Sequence, residues 1–156
     1  MELKDIMEAF AAEVGVSEVA PDDEGVYHLE FDGMGVSFAT ADDRLVTWAE
    51  VGEIPSEGCE RLYRALLEAM LLGSLTKGAS FAVDSETDRI FLQRLDALAA
   101  FSPEGFRKMI ETFVNVLETW RKVVSDFQEV APEQARKAEA AAAEVRELDR
   151  GGFMRV

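Results

Sequence analysis

The chain is expected to fold as an α+β domain, an antiparallel sheet with helices packed on it, in the order α-β-β-β-α-β-β-α. Three observations predict this. Apolar residues recur at helical spacing near both ends of residues 1–125 and again in the middle. Between those stretches lie short alternating runs joined by tight-turn residues. The strands come in groups rather than alternating singly with helices, which points away from a parallel sheet.

Leu3, Ile6, Met7, Phe10 and Val14 step by threes and fours, so residues 2–14 read as an amphipathic helix, with Gly15 placed to end it in a left-handed conformation. The run 21–25 is a loop. Val26–Phe31 and Met34–Thr40 alternate about Asp32-Gly33, a strong two-residue hairpin signal. Tyr27, Leu29 and Phe31 share one face of the first strand; Met34, Val36 and Phe38 share one face of the second. A turn at Ala41–Asp43 leads to a third strand, Arg44–Val51, in which Trp48 lies on the same side as Val46 and Glu50.

Ile54-Pro55-Ser56 breaks the meander, with Ser56 the expected N-cap of a leucine-rich helix that ends at Gly73. Leu62, Leu66, Ala69 and Met70 share one face, and Tyr63, Leu67 and Leu71 extend it. Leu72 lies on the other flank, and only Glu60, Arg61, Arg64 and Glu68 make a polar stripe. A helix so broadly apolar is expected to be covered on two sides, by its own sheet and by a second subunit. Ala79–Asp84 and Arg89–Leu95 follow as strands about Ser85–Asp88. Ser102-Pro103-Glu104 then starts a long helix, with a capping serine, proline at the first position and an acid at the positive dipole end. Its seam is Phe106, Ile110, Phe113, Leu117, Trp120 and Val124.

LYRALLEAMLLGSLTKGASFAVDSETDRIFLQRL, followed by FRKMIETFVNVLETWRKVV, resembles the small acidic class I chaperones of type III secretion systems, the Tir-chaperone family. The resemblance rests on a leucine-rich helix ending at Gly73, then Thr76, Gly78-Ala79, Asp84, the Ile90–Leu95 strand with Arg94, and a closing helix with Phe113, Glu118, Trp120 and Arg121. It covers residues 1–125, and it implies a cytoplasmic homodimer that wraps the amino-terminal segment of an effector in extended form without hydrolysing nucleotide. It further implies dimerisation through the second helix and the strand after it, here Leu67, Leu71, Leu72, Phe81 and Val83. The alternative is an adaptor subunit of the same fold outside any secretion system, marked by a folded partner instead of an unfolded one.

Composition sets the exclusions. The formal net charge is −15. No basic stripe is present to displace counterions from a phosphate backbone, so nucleic acid is not an expected partner, whereas basic protein segments are. No apolar run is long enough to insert in a membrane, and the acidic start MELKDIMEAF lacks the basic region of a secretory signal. The single cysteine, Cys59, suits a reducing compartment. The single histidine, His28, has no cysteine near it to build a metal site, and no nucleophile–base set or phosphate-cradling glycine loop is apparent. No cofactor, metal or catalytic residue is expected.

Leu3, Met7, Phe10, Met34, Val36, Phe38 and Trp48 are the candidate lining of a partner groove, the methionines suiting a tolerant surface. Beyond Asp126 an alanine- and charge-rich extension, 126–156, is expected to be helical and exposed. It ends in Phe153-Met154-Arg155-Val156, in which Phe153, Met154 and Val156 form a candidate docking peptide for secretion machinery or for a chaperone groove, the alternative being a frayed terminus.

Overall fold

The computed structural model describes residues 1–129 and 139–147. The elements are α1 (Leu3–Val14), β1 (Tyr27–Phe31), β2 (Met34–Ala41), β3 (Arg44–Glu53), α2 (Cys59–Ala69), β4 (Ser80–Asp84), β5 (Arg89–Ala97) and α3 (Pro103–Glu129). All five strands pair antiparallel in the order β1-β2-β3-β5-β4. The expected architecture is therefore the observed one, with β1 and β4 as free edges.

Local chemistry accounts for most boundaries. Glu2 and Asp5 form a reciprocal capping box on α1, and Gly15 ends the helix at φ 76°. Asp32 and Gly33 both take positive φ, the backbone that a tight hairpin matching strand twist requires. Ser102 caps α3 by accepting the Gly105 amide at 3.1 Å. Both ends of α2 differ from expectation: the helix stops at Ala69, with a 3-10 turn at Leu71–Gly73 in place of its last turn, and it starts at Cys59 behind Gly58, at φ 73°, without a side-chain cap. Ser56 therefore does not cap it; the left-handed glycine turns the chain into the helix two residues later.

A single core joins one face of the sheet to all three helices. Leu3, Ile6, Met7 and Phe10 of α1, Leu62, Leu66 and Ala69 of α2, and the entire expected seam of α3 are buried there. The sheet supplies Tyr27, Val36, Phe38, Leu45, Ala49, Val51, Ile90 and Leu92. Aromatic rings interlock at its centre: Phe106 lies 5.7 Å from both Phe10 and Phe38, and 6.0 Å from Phe101. At the β3 bulge, Gly52 lets α3 approach the backbone so closely that an added Cβ would meet Val124 Cγ1 at 2.8 Å.

Candidate functional site

Strand pairing determines which side chains remain outside. Residues alternate between faces, so each side chain on the core face has a neighbour facing away. The register His28↔Ser37, Ser37↔Trp48, Trp48↔Gln93 and Gln93↔Ser80 makes one row across all five strands of the outer face. Trp48 is at its centre. The flanking rows bring Ala39, Val46 and Leu95 together on one side and Glu50, Phe91 and Ala82 on the other. None of these side chains is buried, and Leu95 is 50% exposed. The result is a half-exposed apolar patch around Trp48. Arg89 borders it, paired with Glu50 at 2.6 Å and Glu53 at 3.1 Å.

At the β1 end of this face, His28 joins Ser37 through Nδ1 and Asp22 through Nε2, each at 2.9 Å. The Asp22 carboxylate also accepts the amides of Val26 and Glu24. The His28 hydrogen bond, then those backbone donors, hold the Asp22 carboxyl below its ordinary range. The cluster ties the loop before β1 to the sheet. Its serine and histidine lie on the outer face of the sheet, and the evident role of the cluster is to fasten.

The structure places six of the seven expected groove residues elsewhere. Leu3, Met7, Phe10, Met34, Val36 and Phe38 are all buried in the core, Met7 and Phe38 completely. Pairing of Phe31 with Met34, and so on along the hairpin, turns the large residues of β1 and β2 to the same side, where α1 and α3 cover them. Of the seven, Trp48 is the one that is not buried. Phe10 does reach the floor of a groove of about 530 Å³ between α1, α3 and the β1–β2 hairpin, with Val14, Phe31, Ile110 and Val114. Glu13, Asp32, Glu111, Arg107 and Asn115 rim it, and Arg107 pairs with both Glu13 and Glu111. The outer-face residues Val46, Phe91 and Leu95 were missed by sequence reasoning. Their signal was the alternation itself: once β3 pairs with β5, the residues flanking Trp48 follow from period two.

A separate apolar surface lies at α2 and β4. Leu67 is 65% exposed, Leu72 71%, Leu71 45% and Val83 43%. Phe81 is half-buried, its ring 5.1 Å from Trp120. Leu72 has φ 57°, a left-handed conformation uncommon for a leucine, in a 3-10 turn at Leu71–Gly73. The turn thus spends backbone strain to hold a large apolar side chain in solvent. The loop that follows is clamped by Arg94, which binds Asp96 through Nε at 2.6 Å and Nη2 at 2.8 Å and donates to the Lys77 carbonyl at 3.0 Å. The Phe81 amide meets Met70 Sδ at 3.1 Å, joining the end of α2 to the edge of β4. The candidate docking peptide, Phe153, Met154 and Val156, lies outside the described residues.

Among the described residues no group of side chains is arranged to hold a metal ion. None of the described helices is long and apolar enough to cross a membrane.

Solved structures share this fold. In the ExsC–ExsE complex, the matched chain has a TM-score of 0.65 at 23% identity, covering 78% of this chain and 96% of that one. The HopA1–SchA chaperone–effector complex matches with a TM-score of 0.64 at 15% identity, over 76% and 92%. The Yersinia pestis type III secretion chaperone SycH, solved with a fragment of YscM2, matches at 0.59 and 21% identity, over 74% and 97%. No curated protein sequence matches. A family model does, over residues 5–121, which span all three helices but for the ends of α1 and α3, and the entire sheet. With its core, sheet order and α2 turn as described, this chain belongs to the Tir chaperone protein (CesT) family.

Proposed function

We propose that this protein is a cytoplasmic, dimeric chaperone that holds the non-globular amino-terminal segment of a type III secretion effector in a secretion-competent state, without hydrolysing nucleotide. The carrying observation is two separate apolar surfaces that the domain does not bury: the half-buried Trp48 patch on the sheet, with Leu95 exposed, and the exposed leucine surface of α2. One serves a client and the other a second copy.

Backbone groups on the free edge of β1 accept an extended segment as an added strand. Each such hydrogen bond contributes only about 0.5–1.5 kcal/mol net, so pairing alone holds a segment weakly. Apolar anchors supply more, roughly 1.5–3 kcal/mol for each large side chain fully buried. The Trp48–Phe91–Leu95 patch and the Phe10–Val114 groove are the proposed receivers. Together they offset the entropy of ordering the client. The net charge of −15 favours a client with basic residues between its anchors.

The experiment is co-expression with candidate effectors of type III secretion systems, followed by purification and limited proteolysis. The native protein is expected to protect a protease-sensitive segment. Trp48→Glu should release that segment while circular dichroism and oligomeric state stay unchanged. Full retention by Trp48→Glu would place the client elsewhere. Capture of a folded, protease-resistant domain would instead support the adaptor reading.

A further inference from the structure

The free edge of β1 is not open along its whole length. Across the two-residue turn at Asp32-Gly33 the flanking pair Phe31–Met34 exchanges hydrogen bonds, and so do the alternate pairs Leu29–Val36 and Tyr27–Phe38. Val26, His28 and Glu30 therefore turn their amides and carbonyls away from β2. Asp22 takes both groups of Val26: its amide donates to the Val26 carbonyl at 2.9 Å, and its Oδ1 accepts the Val26 amide at 2.8 Å. The Gly25 amide donates to the Asp22 carbonyl at 3.0 Å, and Gly25 has φ 82°, so residues 22–26 close as a hairpin with a three-residue loop. Asp22 thus stands where a residue of a partner strand would, and His28 Nε2 holds its Oδ2 at 2.9 Å. The pairing goes no further. The preceding residue is Pro21, which has no amide, and continuing the register would set Glu18 against Glu30, two like charges. Glu30 is exposed and has no ion-pair partner among the described residues. On the opposite edge of the sheet, the Phe81 amide of β4 is already engaged by Met70 Sδ at 3.1 Å.

We propose that Asp22 sets the register of the bound client: an incoming extended segment pairs with β1 at His28 and Glu30 only, presents Lys or Arg opposite Glu30, and carries apolar residues opposite Leu29 and Phe31. This rests on the reading that the β1 edge receives the client. Residues facing one another on paired strands share a face of the sheet. The client residue opposite Glu30 therefore lies on the outer side beside that carboxylate, where a cation makes the cross-strand pair that Glu30 lacks. The residues opposite Leu29 and Phe31 lie on the core side. There Leu29 and Phe31 are half-buried, and the Phe31 ring is 6.3 Å from that of Phe10 and walls the groove between α1, α3 and the hairpin. With one amide and one carbonyl at each of two positions, the edge offers only four backbone hydrogen bonds. Side-chain fit at these few positions, rather than strand length, selects the client.

The test is an NMR titration of the full chain, labelled with nitrogen-15, with the end-blocked peptide Thr-Val-Lys-Val-Thr, a palindrome that presents the same side chains in either direction. The His28 and Glu30 amides should shift and the Val26 amide should not. The counterpart with Glu in place of Lys should bind about fivefold more weakly, since opposite charges favour and like charges oppose the cross-strand pair. Glu30→Lys should reverse that order. Glu86→Lys, the same change of charge at the turn between β4 and β5, should not, which separates the local pair from the field of an acidic protein. In Asp22→Ala, a peptide longer by two residues at each end should also engage the Val26 amide; in Asp22→Asn, whose side-chain oxygen still accepts, it should not. If no peptide moves the His28 and Glu30 amides, the reading of the β1 edge as the client's seat fails. If they move but Glu30→Lys leaves the order unchanged, or the longer peptide engages Val26 in the native chain or fails to do so in Asp22→Ala, the register set by Asp22 is refuted while the edge stands. Asp22, Glu30 and Glu86 are all exposed, so these variants leave the core untouched.

Discussion

Along β3, Leu45, Thr47, Ala49 and Val51 are buried, while Val46, Trp48 and Glu50, each one residue away, are half-exposed or exposed. The two sides have similar numbers of large groups but opposite consequences. On the inner side a substitution acts on the fold; on the outer side it acts on what the fold can bind. The same division separates Leu66 from Leu67 on α2, at 3% and 65% exposure. Hydrophobicity alone does not distinguish these pairs, and only the direction in which the side chain points does.

The strongest way to break the comparison is at Phe38, which is fully buried against Phe106. Phe38→Ala is expected to cost about 3–5 kcal/mol in urea unfolding, enough to threaten folding in a small domain. Trp48→Glu, ten residues away on the other face, should leave that curve nearly unmoved. If both lose the same stability, the outer face is core as well. Next in size is Gly52→Ala. Its Cβ would press on Val124 at 2.8 Å, and the branched side chain is held in a closely packed seam. A loss of about 1–3 kcal/mol is expected from overpacking, read as a lower melting temperature.

The smallest effect sharpens the outer face alone. Asp22 has its folded pKa lowered by His28 and by the Val26 and Glu24 amides. Its contribution is therefore complete above the ordinary carboxylate pKa and is lost as pH falls through the lower folded value. Hydrogen exchange at the Val26 amide should accelerate across that acid window in the native chain. In Asp22→Ala the exchange should already be fast at neutral pH, with no acid step beyond the intrinsic one.

Much of this was legible before any coordinates. Every residue named in the α3 seam from Phe106 to Val124 is buried, because a 3.6-residue period has one solution when the stripe is long, and Met109, Val116 and Phe127 widen it. The Asp32-Gly33 hairpin emerged because positive φ at two successive positions leaves few residue choices. The groove failed for a related reason. Met34, Val36 and Phe38 were correctly placed on one face, but alternation does not say which face a helix will cover. Leu3, Met7 and Phe10 likewise made a clear stripe whose destination was the core.

From sequence alone come the order of elements, the turns, the caps at Gly15 and Ser102, the acidity, and the resemblance that the family match bears out. These depend on neighbours a few residues apart, or on composition, and a chain carries that information locally. What required the tertiary structure was sidedness: Trp48, Phe91 and Leu95 meeting across β3 and β5, and Leu67 left bare beside buried Leu66. Those relations join residues distant in sequence, and they are decided by which faces the whole core has enough partners to cover.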